Sequence, residues 1–258
     1  MGHVSVISEP ISIRDEIFFA QSEPEVSLDW DEFDILKVSN NHLAQNNIIC
    51  AARKETACGA FDFLRTRMMQ VMKEKKWNRI GITSPTEGCG KTFISANLSI
   101  TLARGLVNRV LLLDMNLKKP GLEKIFTTDK NRSMANYLAG TLDPKNFFFR
   151  VMPNLMVGLN NDPVSESTEI LQDAQTSATL DKIQTSLAPD LTVIDMPSLL
   201  TCDDAISCFS HLDGVIMVVE GGKTTKAEIR CAEKLMTDRV PLLGVVLNRS
   251  KGKCAMVG

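Results

Sequence analysis

Short, nearly continuous apolar runs recur along the chain, and segments with apolar residues at helical spacing lie between them. The runs cover residues 79–83, 110–114, 154–159, 191–195, 215–219 and 243–248. Runs of this length without polar interruption are typical of parallel strands that helices cover on both faces. The alternation of the two patterns therefore predicts an α/β fold with a mostly parallel sheet and helices on both faces.

Helical periodicity fills the intervals between the apolar runs. A helix from about residue 56 to residue 73 would carry Phe61, Met68 and Met72 on one face and Arg65 on the other. Residues 133–140, SMANYLAG, have a serine cap, a glycine stop and the only tyrosine of the chain, Tyr137. Residues 165–187 predict two helices, residues 204–212 and 225–236 one each, and residues 121–150 short helices and loops.

One glycine-rich polar stretch, SPTEGCGKT at residues 84–92, joins the first apolar run to a helix. Gly88 and Gly90 let the backbone turn so that successive N–H groups point at phosphate oxygens. Lys91 would reach the β and γ phosphates, and the Thr92 hydroxyl is a hard oxygen ligand for Mg²⁺. Strand, loop and helix in this order predict a nucleoside triphosphate site. The predicted contacts are Thr86, Glu87, Gly88, Cys89, Gly90, Lys91, Thr92, Phe93, Asn248 and Arg249.

Two later apolar runs each end in a carboxylate, Asp114 and Asp195. The carboxyl ends of the strands line the ligand crevice in an open parallel sheet, so both acids are predicted beside Thr92 as Mg²⁺ ligands. Asn248 ends the last run and could hydrogen-bond an adenine or serve as a turn residue. Lys118 and Lys119, which follow Asp114, could face the phosphates or water.

The amino-acid composition limits the possible domain size, metal sites and location of the protein. The chain has 258 residues, 44% of them hydrophobic, which is enough for one sizeable domain plus a tail. Its seven cysteines form no CxxC pair and predict reduced thiols rather than a zinc site. Without a signal-peptide pattern or an apolar run near the ~18 residues that span a bilayer, a cytoplasmic location is expected.

Charge and apolar pattern divide the chain into three parts. Residues 1–50 carry nine acidic and two basic side chains, a net charge of −7, whereas the whole chain carries −2. The remaining +5 is too dispersed to predict nucleic-acid binding. Residues 1–48 are predicted to be an acidic tail. It is either disordered or docks through apolar islands such as Trp30 and Phe33 on a partner or on the chain's own ATPase domain, and a disordered tail with local docking is favoured. Residues 49–250 form the predicted ATPase domain, and residues 251–258 a short tail without tyrosine.

Residues from about 43 to 250 resemble the bacterial tyrosine-kinase (BY-kinase) family of capsule and exopolysaccharide synthesis. Residues 84–92 and the following ISANLSITLA resemble its Walker A segment, residues 110–126 its Walker A′ segment, and LTVIDMP at residues 191–197 its Walker B segment. DGVIMVVEGGKTTKAEI and LLGVVLNRSK resemble its last two strands and the helix between them.

The resemblance implies an ATP- and Mg²⁺-dependent cytoplasmic domain that phosphorylates tyrosines on itself and assembles in rings. It also implies a membrane partner that controls polysaccharide chain length and export, here as a separate chain. Lys91, Asp114 and Asn116 would be the catalytic residues. Asp114 would accept the substrate hydroxyl proton, and Asn116 would help to position that hydroxyl.

Three departures from the family pattern keep other functions open. Asn116 replaces the second aspartate of the A′ segment, and an amide is a poor base. Gly59, Asp62 and Arg65 stand where the family's ring-forming helix has E-x-x-R-x-x-R, and residues 251–258 contain no tyrosine. These features favour an ATP-controlled switch or scaffold of the same polysaccharide system as the alternative to a kinase.

A partition or division-site positioning ATPase is a further alternative. Such proteins begin the phosphate loop with a second lysine, and this chain has Thr86 at that position. It also lacks an amphipathic membrane helix at the C-terminus. Both differences argue against this class.

Overall fold

Seven strands form one sheet in the computed structural model, which describes residues 28–49, 57–105 and 108–250. The strands are β1 (Arg79–Thr83), β2 (Val110–Asp114), β3 (Phe149–Met152), β4 (Leu155–Gly158), β5 (Leu191–Asp195), β6 (Gly214–Glu220) and β7 (Leu242–Asn248). Their order across the sheet is β3-β4-β2-β5-β1-β6-β7, and only the β3–β4 pair is antiparallel. The α/β fold predicted from the apolar runs is confirmed.

Helices cover both faces of this sheet. They are α1 (Asn40–Gln45), α2 (Ala57–Lys75), α3 (Lys91–Ala103), α4 (Met134–Leu138), α5 (Pro144–Phe147), α6 (Ser167–Gln172), α7 (Ala174–Ser186), α8 (Asp204–Ser207) and α9 (Lys226–Met236). One core cluster packs α2 and α3 on the sheet, for example through Met68 and Leu98. The other packs α4, α6, α7 and α9 on the opposite face, for example through Leu171 and Ala232. None of the helices in the described ranges is both long and apolar enough to cross a membrane.

Capping residues in the local sequence determine where several helices begin and end. Ser133 caps α4 by accepting a hydrogen bond from the Asn136 N–H, and Gly140 ends it with a φ of +74°. Thr225 and Glu228 form a reciprocal capping box at the start of α9. These predicted helices are confirmed, as is α2, although its predicted start at residue 56 lies outside the described residues.

Three local predictions differ from the structure. Residues 149 and 150, at the end of the region predicted as short helices and loops, belong to the edge strand β3, because pairing with β4 rather than local alternation stabilises so short a strand. The helix predicted for residues 204–212 ends at Ser207, and a 3₁₀ turn follows at Phe209–His211. Arg65 does not lie on the solvent side of α2: its Nη1 donates to the Thr101 carbonyl of α3 at 3.4 Å.

Residues 28–36 run along the outer edge of β3. Trp30 and Phe33 are buried in the core, and the Trp30 indole N–H donates to the Leu187 carbonyl at 2.8 Å. The Arg150 N–H donates to the Asp34 carbonyl at 2.9 Å, which adds a short bridge to the sheet edge. These two apolar islands are therefore docked on the domain. The disorder predicted for residues 1–27 and the tail at residues 251–258 lie outside the described residues, and the domain boundary after residue 48 stays a prediction.

Candidate functional site

The stretch between β1 and α3 has the backbone of a phosphate-binding loop. Gly88 and Gly90 have φ values of +81° and +96°, the left-handed region that glycine adopts without a steric penalty. Gly90 caps α3 without any side-chain acceptor, so the first N–H groups of the helix are left for a ligand. Lys91 begins α3 and is almost fully buried. Both glycines have the backbone conformation that the sequence predicts for this turn, and their contact with phosphates stays a prediction.

Two residues at the end of β7 donate hydrogen bonds to backbone carbonyls of this loop. The Asn248 side-chain amide donates to the Cys89 carbonyl at 2.8 Å, and Arg249 donates to the Gly88 carbonyl at 3.1 Å. A Cβ atom on Gly90 would lie 2.2 Å from Asn248 Nδ2, and the φ of +96° would strain any side chain at this position. The amide nitrogen of Asn248 therefore positions the loop.

Asp195 at the end of β5 meets the first turns of α3. Its Oδ2 accepts a hydrogen bond from the Thr92 hydroxyl at 2.6 Å, and its Oδ1 accepts one from the Ser95 hydroxyl at 3.0 Å. The carboxylate is completely buried. Burial raises its pKa to about 6, although the Thr92 hydrogen bond and the Lys91 charge act in the opposite direction.

Asp114 is the direct neighbour of Asp195 in the parallel β2–β5 pair and is equally buried. Its carboxylate accepts backbone N–H groups from Asn116 at 3.2 Å and from Gly121 and Leu122 at 2.9 Å each. Burial, followed by the charge of Asp195, raises the pKa of Asp114 to about 8 in spite of these donors. The two acids thus lie together as predicted, in a place that disfavours the ionisation of both.

The segment after β2 connects several parts of the site. Lys118 Nζ lies 3.1 Å from the buried Asp204, and Lys119 Nζ lies 2.7 Å from Glu87 of the phosphate loop. A Cβ atom on Gly121 would lie 2.8 Å from the Thr92 hydroxyl oxygen, so this segment packs directly on Thr92. Both lysine side chains are exposed, 39% for Lys118 and 69% for Lys119, as the solvated alternative predicts, and each also forms an ion pair.

The side chains of two other predicted contacts, Cys89 and Phe93, touch residues of the protein itself. The Cys89 thiol lies 3.7 Å from the hydroxyl oxygens of both Thr86 and Thr224. The Phe93 ring packs edge-on against Phe61 of α2, with 5.9 Å between ring centroids. Contacts of Cys89 and Phe93 with a nucleotide would therefore use their backbone N–H groups.

Tyr137 lies inside the fold, as predicted from its helix. The side chain is 4% exposed and stacks on Phe147 with 4.3 Å between ring centroids. Burial raises the pKa of its hydroxyl. A phosphoryl donor has no access to this ring in the folded chain.

Several residues of the site were missed from the sequence. Ser95 follows Lys91 by one helical turn, and that spacing would have pointed to it. Glu220 at the end of β6 accepts a hydrogen bond from Arg249 at 3.0 Å, and Lys223 Nζ lies 3.8 Å from the position that a Cβ atom on Gly88 would take. The contact of Gly121 with Thr92 joins distant segments and has no signal in the sequence.

Comparison with known proteins gives a consistent set of relatives. The profile of the CobQ/CobB/MinD/ParA nucleotide binding domain matches residues 80–255. The putative tyrosine-protein kinase EpsB of Ralstonia nicotianae is 31% identical over 188 residues, which are 72% of this chain and 24% of EpsB. The chain thus spans about a quarter of the length of EpsB.

A second relative matches over most of its own length. The tyrosine-protein kinase CpsD of Streptococcus agalactiae is 27% identical over 201 residues, 77% of this chain and 86% of CpsD. Among solved structures, the kinase domain of the Escherichia coli tyrosine kinase ETK superposes with a TM-score of 0.73 at 22% identity, covering 90% of this chain and 88% of that domain. At this identity the superposition shows a shared fold.

Proposed function

Because the chain belongs to the CobQ/CobB/MinD/ParA nucleotide-binding domain family, we propose that it binds Mg²⁺-ATP in the loop before α3 and acts as a BY-kinase-like protein-tyrosine kinase and ATPase. The observation that carries the proposal is the convergence on one loop of a buried lysine, Lys91, and two buried acids, Asp114 and Asp195. The similarity to EpsB and CpsD, both named as tyrosine-protein kinases, supports the choice of reaction.

The residues at the loop fit a magnesium ion. Carboxylate and hydroxyl oxygens are the donors that Mg²⁺ prefers, and Thr92, Asp114 and Asp195 supply them. Two neighbouring buried carboxyls with raised pKa values also need a nearby cation before both can ionise. These three residues would hold the ion, which when bound would neutralise charge on the phosphates.

Each of the protein's own groups would have a separate role in the phosphoryl transfer. Lys91 and the N–H groups of residues 87–92 would bind the phosphates and orient the γ-phosphoryl group. Asp114 is the proposed acceptor of the substrate hydroxyl proton, and Asn116, half-buried two residues later, would help to position that hydroxyl. The hydrogen bonds from Gly121 and Leu122 hold the Asp114 carboxylate in place for this role.

We further propose the cellular setting that the BY-kinase resemblance implies. The chain would regulate exopolysaccharide or capsule synthesis from the cytoplasmic side of the membrane. Its partner would be a membrane-embedded protein that controls polysaccharide chain length and export. It would form a homo-oligomer and would not bind nucleic acid.

A non-kinase switch or scaffold is the second candidate, and a specific observation favours it. The single tyrosine, Tyr137, is buried and stacked on Phe147, so a kinase would need a substrate on another molecule or in another copy after local unfolding. Asn116 also lacks the charge that a second acid would give the site. In this alternative, ATP binding alone would change how the chain contacts its partner.

Incubation with Mg²⁺-ATP separates the two candidates. The protein would be incubated with and without the cytoplasmic segment of a candidate membrane partner, and phosphosites read by mass spectrometry, with Lys91→Met as the control. Lys91-dependent phosphotyrosine on the partner would support a kinase. Nucleotide binding without phosphotyrosine would favour the switch, and unchanged ATP affinity in Lys91→Met would refute the nucleotide site.

A further inference from the structure

A buried carboxylate outside the proposed Mg²⁺ site contacts the segment that follows β2. Asp204 begins α8, its side chain is completely buried, and its Oδ1 lies 3.1 Å from Lys118 Nζ. The hydroxyl groups of Thr168 and Ser167, at the start of α6, donate to its Oδ1 at 2.5 Å and to its Oδ2 at 2.6 Å. Burial acts to raise the pKa of Asp204, but the hydrogen bonds that it accepts lower it below the usual value. The carboxylate is therefore ionised and holds the Lys118 ammonium group by charge.

Lys118 lies in the middle of the segment whose backbone holds the Asp114 carboxylate. The N–H groups that donate to this carboxylate belong to residues 116, 121 and 122, on either side of Lys118 along the chain. The same segment has a second attachment three residues before α6, where the Val164 N–H donates to the Leu117 carbonyl at 3.1 Å. The position of these donors relative to Asp114 therefore depends on contacts with the α6 and α8 regions.

The two lysines of this segment differ in what their ion pairs can hold. Lys119 pairs with Glu87, and both side chains are largely exposed, at 69% and 53%. Ion pairs between exposed side chains contribute little, because water screens them and the side chains lose entropy. The Lys118 pair has one completely buried partner whose carboxylate is already fixed by two hydroxyl groups, so this lysine is held at a defined point. Lys118 is thus the lysine that can fix the segment.

We propose that Asp204 is a positioning residue for Asp114. By holding Lys118, it keeps the N–H groups of residues 116–122 directed at the Asp114 carboxylate, which is thereby placed to bind Mg²⁺. This step rests on the proposed Mg²⁺ site, and Asp204 is not itself a ligand of the ion. The competing explanation gives Lys118 a direct contact with the phosphates, in which case Asp204 would draw Lys118 away from the nucleotide.

Substitutions at both ends of the ion pair separate these explanations. Asp204→Asn removes the charge but keeps a carbonyl oxygen that can accept the hydroxyl hydrogen bonds from α6. Lys118→Met keeps an unbranched side chain without the charge, whereas Lys118→Arg keeps the charge and should keep the pair. The matched control is Asp181→Asn, which breaks the ion pair of a 73% exposed carboxylate with Arg79, at the opposite end of β1 from the phosphate loop.

The first measurement is amide hydrogen exchange of the full, unliganded chain, read by mass spectrometry. Asp204→Asn and Lys118→Met are each expected to accelerate exchange in residues 116–122 about 10-fold, because loss of a charged hydrogen bond favours local opening. Exchange in β5 should stay unchanged in both variants. Lys118→Arg and Asp181→Asn should exchange as the wild-type protein does throughout residues 116–122.

The second measurement is calorimetric titration with ADP, once with Mg²⁺ and once with a chelator. Both variants that remove a charge from the pair should bind ADP about 10-fold more weakly with Mg²⁺, because a residue that orients a metal ligand affects the affinity for the ion. Without Mg²⁺ the loss should be no more than about twofold, since Asp114 acts through the ion. The double variant should lose no more than either single variant, because both changes break the same contact.

Unchanged exchange in residues 116–122 of Asp204→Asn would overturn the positioning role, as would an acceleration that extends equally to β5. Tighter binding of ADP with Mg²⁺ in Asp204→Asn, beside weaker binding in Lys118→Met, would assign Lys118 to the phosphates instead. If Asp204→Asn does not fold, Lys118→Met, whose wild-type side chain is 39% exposed, decides alone. A wild-type affinity for ADP that does not depend on Mg²⁺ would refute the proposed ion site, whereas the exchange result would still decide whether Asp204 holds the segment.

Discussion

Binding of a magnesium nucleotide should release a proton from the pair formed by Asp114 and Asp195. The two carboxyls are direct neighbours on β2 and β5 and are completely buried. With a pKa of about 8, Asp114 is protonated in about nine-tenths of the unliganded molecules at pH 7. A divalent cation beside both acids favours their ionised forms, so the proton must leave when the ion enters.

The number of protons released on binding follows from the pKa of Asp114. About one proton per site should be released at pH 7, and only about a tenth of a proton at pH 9, where Asp114 is already ionised. The affinity for the magnesium nucleotide should therefore rise about 10-fold per pH unit near pH 7, more steeply below about pH 6, where Asp195 also holds a proton, and level off above about pH 8, because the number of released protons sets this slope. Each unit corresponds to about 1.36 kcal/mol.

The stability of the folded protein should fall with rising pH, whereas the nucleotide affinity should rise. The native state keeps protons on Asp114 and Asp195 that the unfolded state has lost, since their pKa values are raised from 3.8 to about 8 and about 6. The free energy of unfolding of the unliganded protein should therefore fall as the pH rises from about 4 to about 8. Magnesium nucleotide should remove most of this decline.

Calorimetric titration with ADP and Mg²⁺ in two buffers of different ionisation enthalpy gives the number of protons released. Asp114→Asn is the matched control, because an amide of the same shape has no proton to lose in this range. Proton release by ADP itself is common to both proteins, so their difference isolates Asp114. Equal proton release by the two proteins at pH 7, or an affinity independent of pH between 6 and 9, would refute the reasoning.

Three other changes test single contacts. Gly90→Ala should abolish nucleotide binding in a titration, because the φ of +96° strains any side chain there and the new Cβ would displace the Asn248 amide that holds the loop. Gly59→Ala, with no atom within 4 Å, should leave binding intact. Trp30→Ala should lower the free energy of unfolding in urea by about 3–5 kcal/mol, and a loss below about 1 kcal/mol would show that residues 28–36 contribute little to the fold. Tyr137→Phe should leave Lys91-dependent phosphorylation of a partner segment unchanged by mass spectrometry, because the buried ring is not the acceptor; loss of that phosphorylation would contradict this.

The parts of the site that were predictable from sequence are those whose chemistry is local. The phosphate loop and α3 are contiguous, and Asp114 and Asp195 each end an apolar strand, so the parallel fold alone brings them to one edge. The ion pair of Lys119 with Glu87 joins distant segments, and its partner could not be chosen among many exposed acids. The strand β3 was missed for a related reason, since its pairing with β4 and with residues 34–36 is tertiary.

The contacts around the two acids also explain why a cation and a phosphate should enter together. Lys91 is the one buried lysine or arginine among the described residues, and desolvation lowers its pKa while the charge of Asp195 raises it. One lysine cannot balance two ionised carboxylates, and a proton on Asp114 supplies the remaining balance before a nucleotide binds. A metal ion could replace that proton, but the ion and Lys91 would then leave excess positive charge toward the loop. The phosphates of a nucleotide supply the missing negative charge, so the buried charges of this site favour the magnesium nucleotide over either component alone.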